Sequence, residues 1–298
     1  MLSYFSMTTE NTSSINYIWN VWNMRQELIK GTCYTIRGFS IAALRSNFFI
    51  KELNIMFDAG LSANYSPDHI FVSHTHTDHC ANLPYHLYTF NKKETQNMQI
   101  YVPSGCETKT DKLITSVHTL NTDEEFDGAY TLVPVAPNSD LTLEIKGKKF
   151  IIEIIECDHT VPCVGYGLVE TKKKLKNEYV GLEPKEIIKL KSSGIDIQRE
   201  EKKHIFLYLG DTSKKVLENK LIYKYGTIMI ECTFIENDDE ERAILTKHMH
   251  WNHLKDTIKS HPEITFILYH FSGKYKREDI NKFFDGLALS NVIVWNSN

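Results

Sequence analysis

Apolar residues recur along the chain in short runs rich in Ile, Val and Phe, separated by polar stretches. Many runs are continuous rather than alternating, which predicts strands covered on both faces. The predicted strands are Ile50–Phe57, His69–Ser73, Met98–Val102, Phe150–Glu156, His204–Leu209, Thr227–Cys232 and Ile264–Tyr269. Helical patterns lie at Asn82–Phe90, Glu107–Thr119 and Asp238–Lys259. Strands that alternate with helices predict a layered α/β domain.

Composition excludes several classes of protein. The 298 residues are 42% apolar and 24% charged, as in a soluble globular protein with a sizeable core. A largely disordered chain is therefore excluded. The 34 basic and 38 acidic side chains give a net charge of −4, which argues against a protein coated in positive charge but allows a local basic patch.

The sequence also indicates a compartment and a domain plan. It has no run of 18 apolar residues, so we expect no membrane partner. Its six cysteines form no C-x-x-C pair, and the N-terminus lacks a secretory pattern, so we expect an intracellular protein, cytoplasmic or nuclear, that is not secreted. We predict a partly disordered N-terminal extension at 1–30 and one hydrolase-sized domain at 31–298.

A lysine-rich insert at 172–203 interrupts that domain. It holds ten basic and six acidic side chains, a net charge of +4. One interpretation is an arm that grips phosphates, because neutralisation of phosphate dominates affinity for nucleic acids. The other is a solvated charged helix, which is the commoner outcome for a run of charges.

Histidines are concentrated in one stretch, where SHTHTDH at 73–79 directly follows an apolar run. At the end of a strand, residues i and i+2 point to the same side, so His74 and His76 can bind one ion together. A tight turn then brings Asp78 and His79 to a neighbouring point. Imidazole nitrogens and carboxylate oxygens bind zinc at ~2.0–2.2 Å. The stretch therefore predicts half of a two-metal site, whose ions lie ~3.5–4 Å apart.

Three further candidate ligands each follow a later apolar run. They are His159, Asp211 and His270. Loops at strand ends are where α/β proteins place function, and the two carboxylate oxygens of Asp211 can bridge two ions. Each residue alone fits a structural role, but the set together favours a metal site. The assignment is His74, His76 and His159 for the first ion, and Asp78, His79 and His270 for the second.

The string HTHTDH at 74–79 is the H-x-H-x-D-H motif of the metallo-β-lactamase superfamily, which this chain resembles. FDAG at 57–60 is similar to an earlier motif of that superfamily, in which an aspartate, here Asp58, supports the metal-binding loop from behind. The later ligands also follow one another in a similar order. The resemblance implies a four-layer αββα sandwich of the α/β class, with the metals at one edge between two sheets.

Other segments resemble ribonuclease Z, the tRNA 3′-processing endonuclease family, and its short, plant-type branch. They are DHTVPCVGYGL around His159, KLKNEYVGLEPKEIIKLKSSGIDI at 174–197, LGDT at 209–212, IECTF at 230–234, KH at 247–248 and HFSGKY at 270–275. Three positions depart from the family pattern. Ile230 replaces a histidine, Lys247 a glycine and Lys274 an arginine.

This resemblance implies an endoribonuclease that removes the 3′ trailer from precursor tRNA, or acts on another RNA, by two-metal phosphodiester hydrolysis. It implies two zinc ions, although manganese suits the same ligands. Asp78 would orient or deprotonate the attacking water. His248, oriented by Glu231, would donate a proton to the leaving 3′-oxygen. The family also implies a homodimer.

Further residues are candidates for contacts with the substrate. They are Thr212, Ser272, the backbone of Gly273, and Lys274. The proton donor has to be chosen within KHMHWNH, where His248, His250 and His253 lie on the predicted helix. Residues two apart on a helix face different sides, so His248 and His250 cannot both face the site. The resemblance favours His248.

Two alternatives stay open on the sequence. A different hydrolase on this scaffold, acting on a lactam, lactone, thioester or another phosphodiester, would have the same metal core, because fold and ions do not set the substrate. Glu231, His248 and the lysine-rich insert are features that a small-molecule hydrolase would not need. The other alternative is a non-catalytic RNA-binding relative that has lost its metals, and the presence of all seven ligands argues against it.

Overall fold

The structure, a computed structural model, describes residues 25–62, 65, 67–90, 98–126 and 130–296. Most of the expected N-terminal extension lies outside these residues, so its disorder stays a prediction. Its last part is described: Gln26–Leu28 is the first strand within the described residues and pairs with Thr35–Arg37.

The first sheet has seven strands that follow one another in chain order. They are β1 (Gln26–Leu28), β2 (Thr35–Ile41), β3 (Arg45–Ile50), β4 (Ile55–Phe57), β5 (His69–Phe71), β6 (Met98–Pro103) and β7 (Tyr130–Val135). Neighbours from β1 to β4 are antiparallel. Neighbours from β4 to β7 are parallel, so β4, β5 and β6 all end at one edge of the sheet.

The second sheet repeats this plan. Its strands are β8 (Asp140–Ile145), β9 (Lys148–Cys157), β10 (Cys163–Leu175), β11 (Gln198–Tyr208), β12 (Thr227–Glu231), β13 (Thr265–Tyr269) and β14 (Val292–Val294). Neighbours from β8 to β11 are antiparallel, and those from β11 to β14 are parallel. The carboxyl ends of β11, β12 and β13 therefore also share one edge.

Helices connect these strands. They are α1 (Thr77–Cys80), α2 (Leu83–Phe90), α3 (Glu107–Thr122), α4 (Pro184–Ser192), α5 (Glu240–Thr246), α6 (Trp251–Ser260) and α7 (Arg277–Asp285). Short 3₁₀ turns occupy Lys51–Leu53, Asn177–Tyr179, Lys214–Glu218, Lys220–Lys224 and Asn237–Asp239. Within the described ranges, none of the helices combines the length and the apolar character needed to cross a membrane.

The two sheets pack face to face over an aromatic core. The Phe48 ring lies 5.9 Å from the Tyr208 ring, and the Phe71 ring lies 5.1 Å from the Tyr166 ring. On the outer face of the first sheet, α2 and α3 bury residues such as Leu87 and Ile114. On the outer face of the second sheet, α6 and α7 bury Leu254 and Ile280. The expected αββα sandwich is confirmed.

Two elements predicted as single units are each divided. The predicted strand Ile50–Phe57 is wrong because β3 ends at Ile50 and Asn54 turns the chain with a left-handed φ of 56° before β4. The predicted helix Asp238–Lys259 is wrong because Lys247 has a left-handed φ of 54° and ends α5. His250, with extended backbone, then caps α6.

The lysine-rich insert forms a two-stranded ribbon that carries one helix. Beyond Glu170, β10 loses its pairing with β9 and continues only with β11, as a two-stranded ribbon. Lys174 is paired with Glu201 across the ribbon at 2.6 Å, and Lys172 is paired with Glu170 of the same strand at 2.9 Å. Helix α4 lies at the tip of this ribbon and buries none of its own residues.

Candidate metal centre

All seven predicted ligands lie at the edge where parallel strands end. His74 and His76 follow β5, and α1 carries Asp78 and His79. The other three come from the second half of the chain: His159 follows β9, Asp211 follows β11 and His270 follows β13. His76 is half-buried and the other six are buried.

The first group consists of His74, His76, His159 and Asp211, whose ligand atoms all lie within 4.8 Å of one another. The Nδ1 of His76 lies 3.1 Å from the Nε2 of His74 and 3.2 Å from the Nε2 of His159. The Oδ2 of Asp211 lies 3.7 Å from the Nε2 of His74. Four ligand atoms therefore converge on one point.

The second group consists of Asp78, His79 and His270. The Nε2 atoms of the two histidines are 3.3 Å apart. The Oδ2 of Asp78 lies 3.4 Å from the Nε2 of His270 and 3.5 Å from the Nε2 of His79. The Oδ2 of Asp211 lies 3.4 Å from both Nε2 atoms. Asp211 is thus placed between the two groups, where it can contact an ion in either.

The outward-facing nitrogens of four rings face hydrogen-bond acceptors. His159 Nδ1 donates to the carbonyl of Lys247 at 3.1 Å, and His79 Nδ1 lies 2.6 Å from Asp58 Oδ2. His74 Nδ1 lies 3.0 Å from Ser73 Oγ, and His270 Nδ1 lies 3.0 Å from Thr233 Oγ1. With their protons on these outer atoms, the rings turn unprotonated Nε2 lone pairs towards the centre.

This arrangement fits divalent cations. Lone pairs and carboxylate oxygens that face one another need a positive charge between them. Ligands at ~2.0–2.1 Å from a common tetrahedral ion lie about 3.3 Å apart, close to the separations found here. The buried Oδ1 of Asp211 has no hydrogen-bond partner among the described residues, and an ion can supply one. Imidazole and carboxylate ligands suit zinc and manganese alike.

The electrostatics of the buried rings agree with this fit. Burial lowers the pKa of His74 and of His159, which keeps these rings in the neutral form that binds metal. His79 differs. Burial opposes its protonation, but the carboxylates of Asp211 and Asp58 outweigh burial and raise the pKa of His79. The carboxylates around this centre therefore attract a positive charge.

Asp58 supports the centre from behind. It is fully buried, and its Oδ1 accepts the Ser73 N–H at 2.7 Å. Its Oδ2 lies near His79 Nδ1 and accepts hydrogen bonds from the Ser73 hydroxyl at 3.0 Å and the Tyr208 hydroxyl at 2.6 Å. One carboxylate therefore orients both the His74 and the His79 rings.

Glu231 and His248 form a pair beside the two groups. The His248 Nδ1 lies 2.8 Å from the Glu231 Oε1. Glu231 is fully buried and also accepts hydrogen bonds from the backbone N–H groups of Thr212 and Met249. Burial opposes protonation of His248, but Glu231 outweighs it and raises the pKa of His248 to about 9. The ring stands 5.0 Å from the His159 ring.

His250 and His253 face away from this centre. The Nδ1 of His250 accepts the Asn252 N–H at 3.0 Å, and its Nε2 lies 2.9 Å from the Glu236 carbonyl. His253 Nδ1 accepts the His250 N–H at 3.2 Å. Both rings therefore cap α6. The expectation that His248 shares a helix with them was wrong, because His248 lies in the break between α5 and α6.

Two of the expected substrate contacts are engaged elsewhere. Thr212 is fully buried, and its Oγ1 accepts the Asp158 N–H at 3.0 Å. The Lys274 ammonium is paired with Asp239 and, at 2.8 Å, with Glu236. Burial lowers the pKa of Lys274, but these two carboxylates outweigh burial and raise it. Both assignments therefore stay predictions. Ser272 and Gly273 lie in the turn after His270, and Gly273 is exposed there.

Sequence reasoning missed two groups at the centre. Thr233 Oγ1 donates to Glu231 Oε2 at 2.5 Å and links that carboxylate to His270. Its position two residues after Glu231 in ECTF was the signal that could have found it. The backbone N–H of Ala43, in the turn between β2 and β3, donates to Asp78 Oδ2 at 3.0 Å. A backbone contact of this kind leaves no trace in side-chain identity.

Comparison with known proteins agrees with the fold. No family model matches the chain. The metallo-β-lactamase fold protein YhfI from Bacillus subtilis aligns with a TM-score of 0.59 and 14% identity, covering 90% of this chain and 98% of that one. Fold and site together define a protein of the metallo-β-lactamase fold with a candidate metal centre.

Two curated relatives give the family. The chloroplastic tRNase Z TRZ2 of Arabidopsis thaliana is 26% identical over 255 residues, which are 84% of this chain and 70% of that protein. The nuclear ribonuclease Z of Triticum aestivum is 30% identical over 168 residues, 55% of this chain and 91% of that protein. The chain belongs to the ribonuclease Z family.

We predict that Asp58→Asn weakens metal binding. An amide cannot accept the hydrogen bonds of His79, Ser73 and Tyr208 as a carboxylate does, and loss of such a partner typically costs ~10–100-fold in metal affinity. Competition with a chromophoric chelator measures the change. Asp140→Asn, at an exposed aspartate on β8, is the control. Equal affinities of the two variants would contradict the role given to Asp58.

Proposed function

We propose that this protein is a two-metal endoribonuclease that removes the 3′ trailer from precursor tRNA. The observation that carries the proposal is the Glu231–His248 pair, 2.8 Å apart, beside two converging groups of metal ligands. Hydrolysis of a phosphodiester needs a proton for an alkoxide leaving group, and this pair is placed to provide one. The names of the relatives, tRNase Z and ribonuclease Z, agree with the proposal.

Two zinc ions are the proposed cofactors, with manganese as an acceptable substitute. The first would be held by His74, His76, His159 and Asp211, and the second by Asp78, His79, His270 and Asp211. When bound, such ions favour deprotonation of water near pH 7 and offset the negative charge that develops at phosphorus.

Asp78 orients the attacking water in this proposal. Its Oδ2 faces His79 and His270 and accepts the Ala43 N–H at 3.0 Å, which fixes the plane of the carboxylate. We assign the other oxygen to the hydrogen bond with the water. The side chain lies at the edge of the centre and is 9% exposed, so water reaches it.

His248 donates the proton to the leaving 3′-oxygen. Glu231 holds the ring by its Nδ1, so Nε2 is the atom that carries the transferred proton. The side chain is 18% exposed, whereas Glu231 is fully buried. Of the two side chains only His248 is accessible, and in this proposal its ring faces the substrate. The products are a 3′-hydroxyl on the tRNA and a 5′-phosphate on the trailer. Ser272 and the backbone of Gly273 are proposed to contact phosphate oxygens.

We place the tRNA contacts of the insert on α4 rather than on the ribbon. Lys172 and Lys174 of the ribbon are paired with Glu170 and Glu201 at 2.9 and 2.6 Å. Lys185, Lys189 and Lys191 of α4 are exposed and have no ion pair within the described part of the chain. Unpaired lysines remain free to neutralise phosphates.

Three further expectations stay proposals. We propose a homodimer, which size-exclusion chromatography with light scattering tests. We propose an intracellular location, cytoplasmic or nuclear. We also propose one hydrolase domain at 31–298, preceded by an extension at 1–30. The end of that extension, Gln26–Leu28, is already a strand of the first sheet.

Incubation with a 3′-extended tRNA precursor tests the function directly. We expect one cut at the start of the trailer, with loss of cleavage in a chelator and recovery with added zinc. The ends of both products should be a 3′-hydroxyl and a 5′-phosphate. Hydrolysis of a lactam, lactone or thioester by a protein that leaves the precursor intact would instead identify a small-molecule hydrolase.

Replacement of His248 separates proton donation from metal binding. We expect His248→Gln to reduce cleavage of the RNA by ~10²–10⁴-fold, the usual contribution of general acid catalysis. Hydrolysis of bis(p-nitrophenyl) phosphate should change little, because p-nitrophenolate leaves without a proton. The control is His261→Gln, which alters a histidine stacked on Tyr223 instead. Equal losses on both substrates would contradict the role of His248 as proton donor.

The helix α4 lysines predict a change in salt dependence. Changing Lys185, Lys189 and Lys191 to Gln should weaken binding of the precursor and flatten the slope of log affinity against log salt by ~0.7–0.9 for each phosphate that is no longer neutralised. Filter binding at several salt concentrations measures this slope. The paired ribbon lysines Lys172 and Lys174, changed to Gln, form the matched control. A larger effect of the control would place the phosphate-binding lysines on the ribbon.

A further inference from the structure

Lys247 has a backbone conformation that favours glycine. Its φ is 54° and its ψ is 48°, at the position that ends α5. Its N–H donates to the Ile244 carbonyl at 3.3 Å, and the next N–H, of His248, donates to the Ala243 carbonyl at 2.8 Å. This pair of bonds is the helix end at which glycine is ordinarily found, because a side chain there is strained. Contacts outside the helix must therefore account for a lysine in this strained conformation.

The contacts of Lys247 are of this kind. Its ammonium donates to Asp158 Oδ1 at 2.8 Å and to the His159 carbonyl at 3.3 Å. Its own carbonyl accepts the His159 Nδ1–H at 3.1 Å. Main chain and side chain of one residue thus hold both the loop and the ring of a metal ligand.

Asp158 connects these contacts to a third loop through hydrogen bonds with Ser213. Its Oδ2 accepts the Ser213 hydroxyl at 2.7 Å, and its carbonyl accepts the Ser213 N–H at 2.9 Å. Ser213 lies two residues after Asp211. Three loops, which carry His159, Asp211 and His248, therefore meet at the Lys247–Asp158 ion pair.

We propose that Lys247 is a positioning residue for the metal centre. It holds His159 with Nε2 directed at His76, 3.2 Å away, and fixes the loop that carries His248 relative to the His159 ring. Its effect on metal binding depends only on the ligand groups, whereas its effect on turnover rests on the function proposed above.

The ion pair is a poor source of folding stability. The side chain of Lys247 is 41% exposed and that of Asp158 is 30% exposed. Exposed pairs of this kind contribute little to the free energy of unfolding. Glycine in place of Lys247 also relieves the left-handed strain. If Lys247 positions the centre, Lys247→Gly should leave thermal stability unchanged or raised but lower the metal affinity. If Lys247 only supports the fold, stability and metal affinity should fall together.

The test uses the full chain with Lys247→Gly, Lys247→Met or Lys247→Arg. The control is Lys149→Met, which breaks an exposed 2.7 Å pair between Lys149 of β9 and Glu200 of β11. Thermal unfolding of the metal-free proteins and zinc affinity by competition with a chromophoric chelator are the two measurements. We expect Lys247→Gly to unfold at or above the temperature of the unsubstituted protein, with zinc bound ~10–100-fold more weakly at one of two sites.

The remaining variants sharpen the result. Lys247→Met should lose affinity as Lys247→Gly does, Lys247→Arg should retain most of it because arginine keeps the pair with Asp158, and Lys149→Met should match the unsubstituted protein. Unchanged zinc affinity in Lys247→Gly would overturn the proposal. A fall in unfolding temperature that parallels the loss of affinity would also overturn it, in favour of a structural role. Neither measurement uses RNA, so failure of the proposed RNA substrate would not affect them.

Discussion

The structure depends on one buried carboxylate, that of Asp58. It directly follows β4 in the first sheet, yet it accepts a hydrogen bond from Tyr208 at the end of β11 in the second. It also holds Ser73 and His79. A buried carboxylate is costly unless it is fully hydrogen-bonded, so these partners are constrained to remain in place. The register of the two sheets and the orientation of the metal ligands are therefore set together.

The repeated sheet plan explains why the ligands meet. In each half of the chain, antiparallel neighbours are followed by parallel ones, and parallel strands bring their carboxyl ends to one edge. His74 and His76 leave that edge from the first sheet, and Asp211 and His270 leave it from the second. Two strained positions, Asp58 with φ of 55° and His270 with φ of 63°, turn the chain sharply where it leaves a strand. Such strain is characteristic of functional sites.

The limits of sequence reasoning follow from the range of each interaction. The candidate ligands of the HTHTDH stretch could be predicted because their short spacing brings them together within one strand end and turn. The later ones could be predicted because each follows a recognisable strand. The hydrogen-bond partner of Thr212 and the ion-pair partners of Lys274 could not be predicted, because they come from distant parts of the chain. The end of α5 was missed for a related reason: a lysine stands where glycine would have marked it.

Each group of ligands draws on both halves of the chain. Two histidines of the first group precede β7, while His159 and Asp211 follow β8, and the second group is divided in the same way. A bound ion would therefore join the two sheets much as a covalent cross-link does. Since ligands that bind only the folded state stabilise it by mass action, the supply of metal in the cell would govern how long the molecule survives as well as how fast it works.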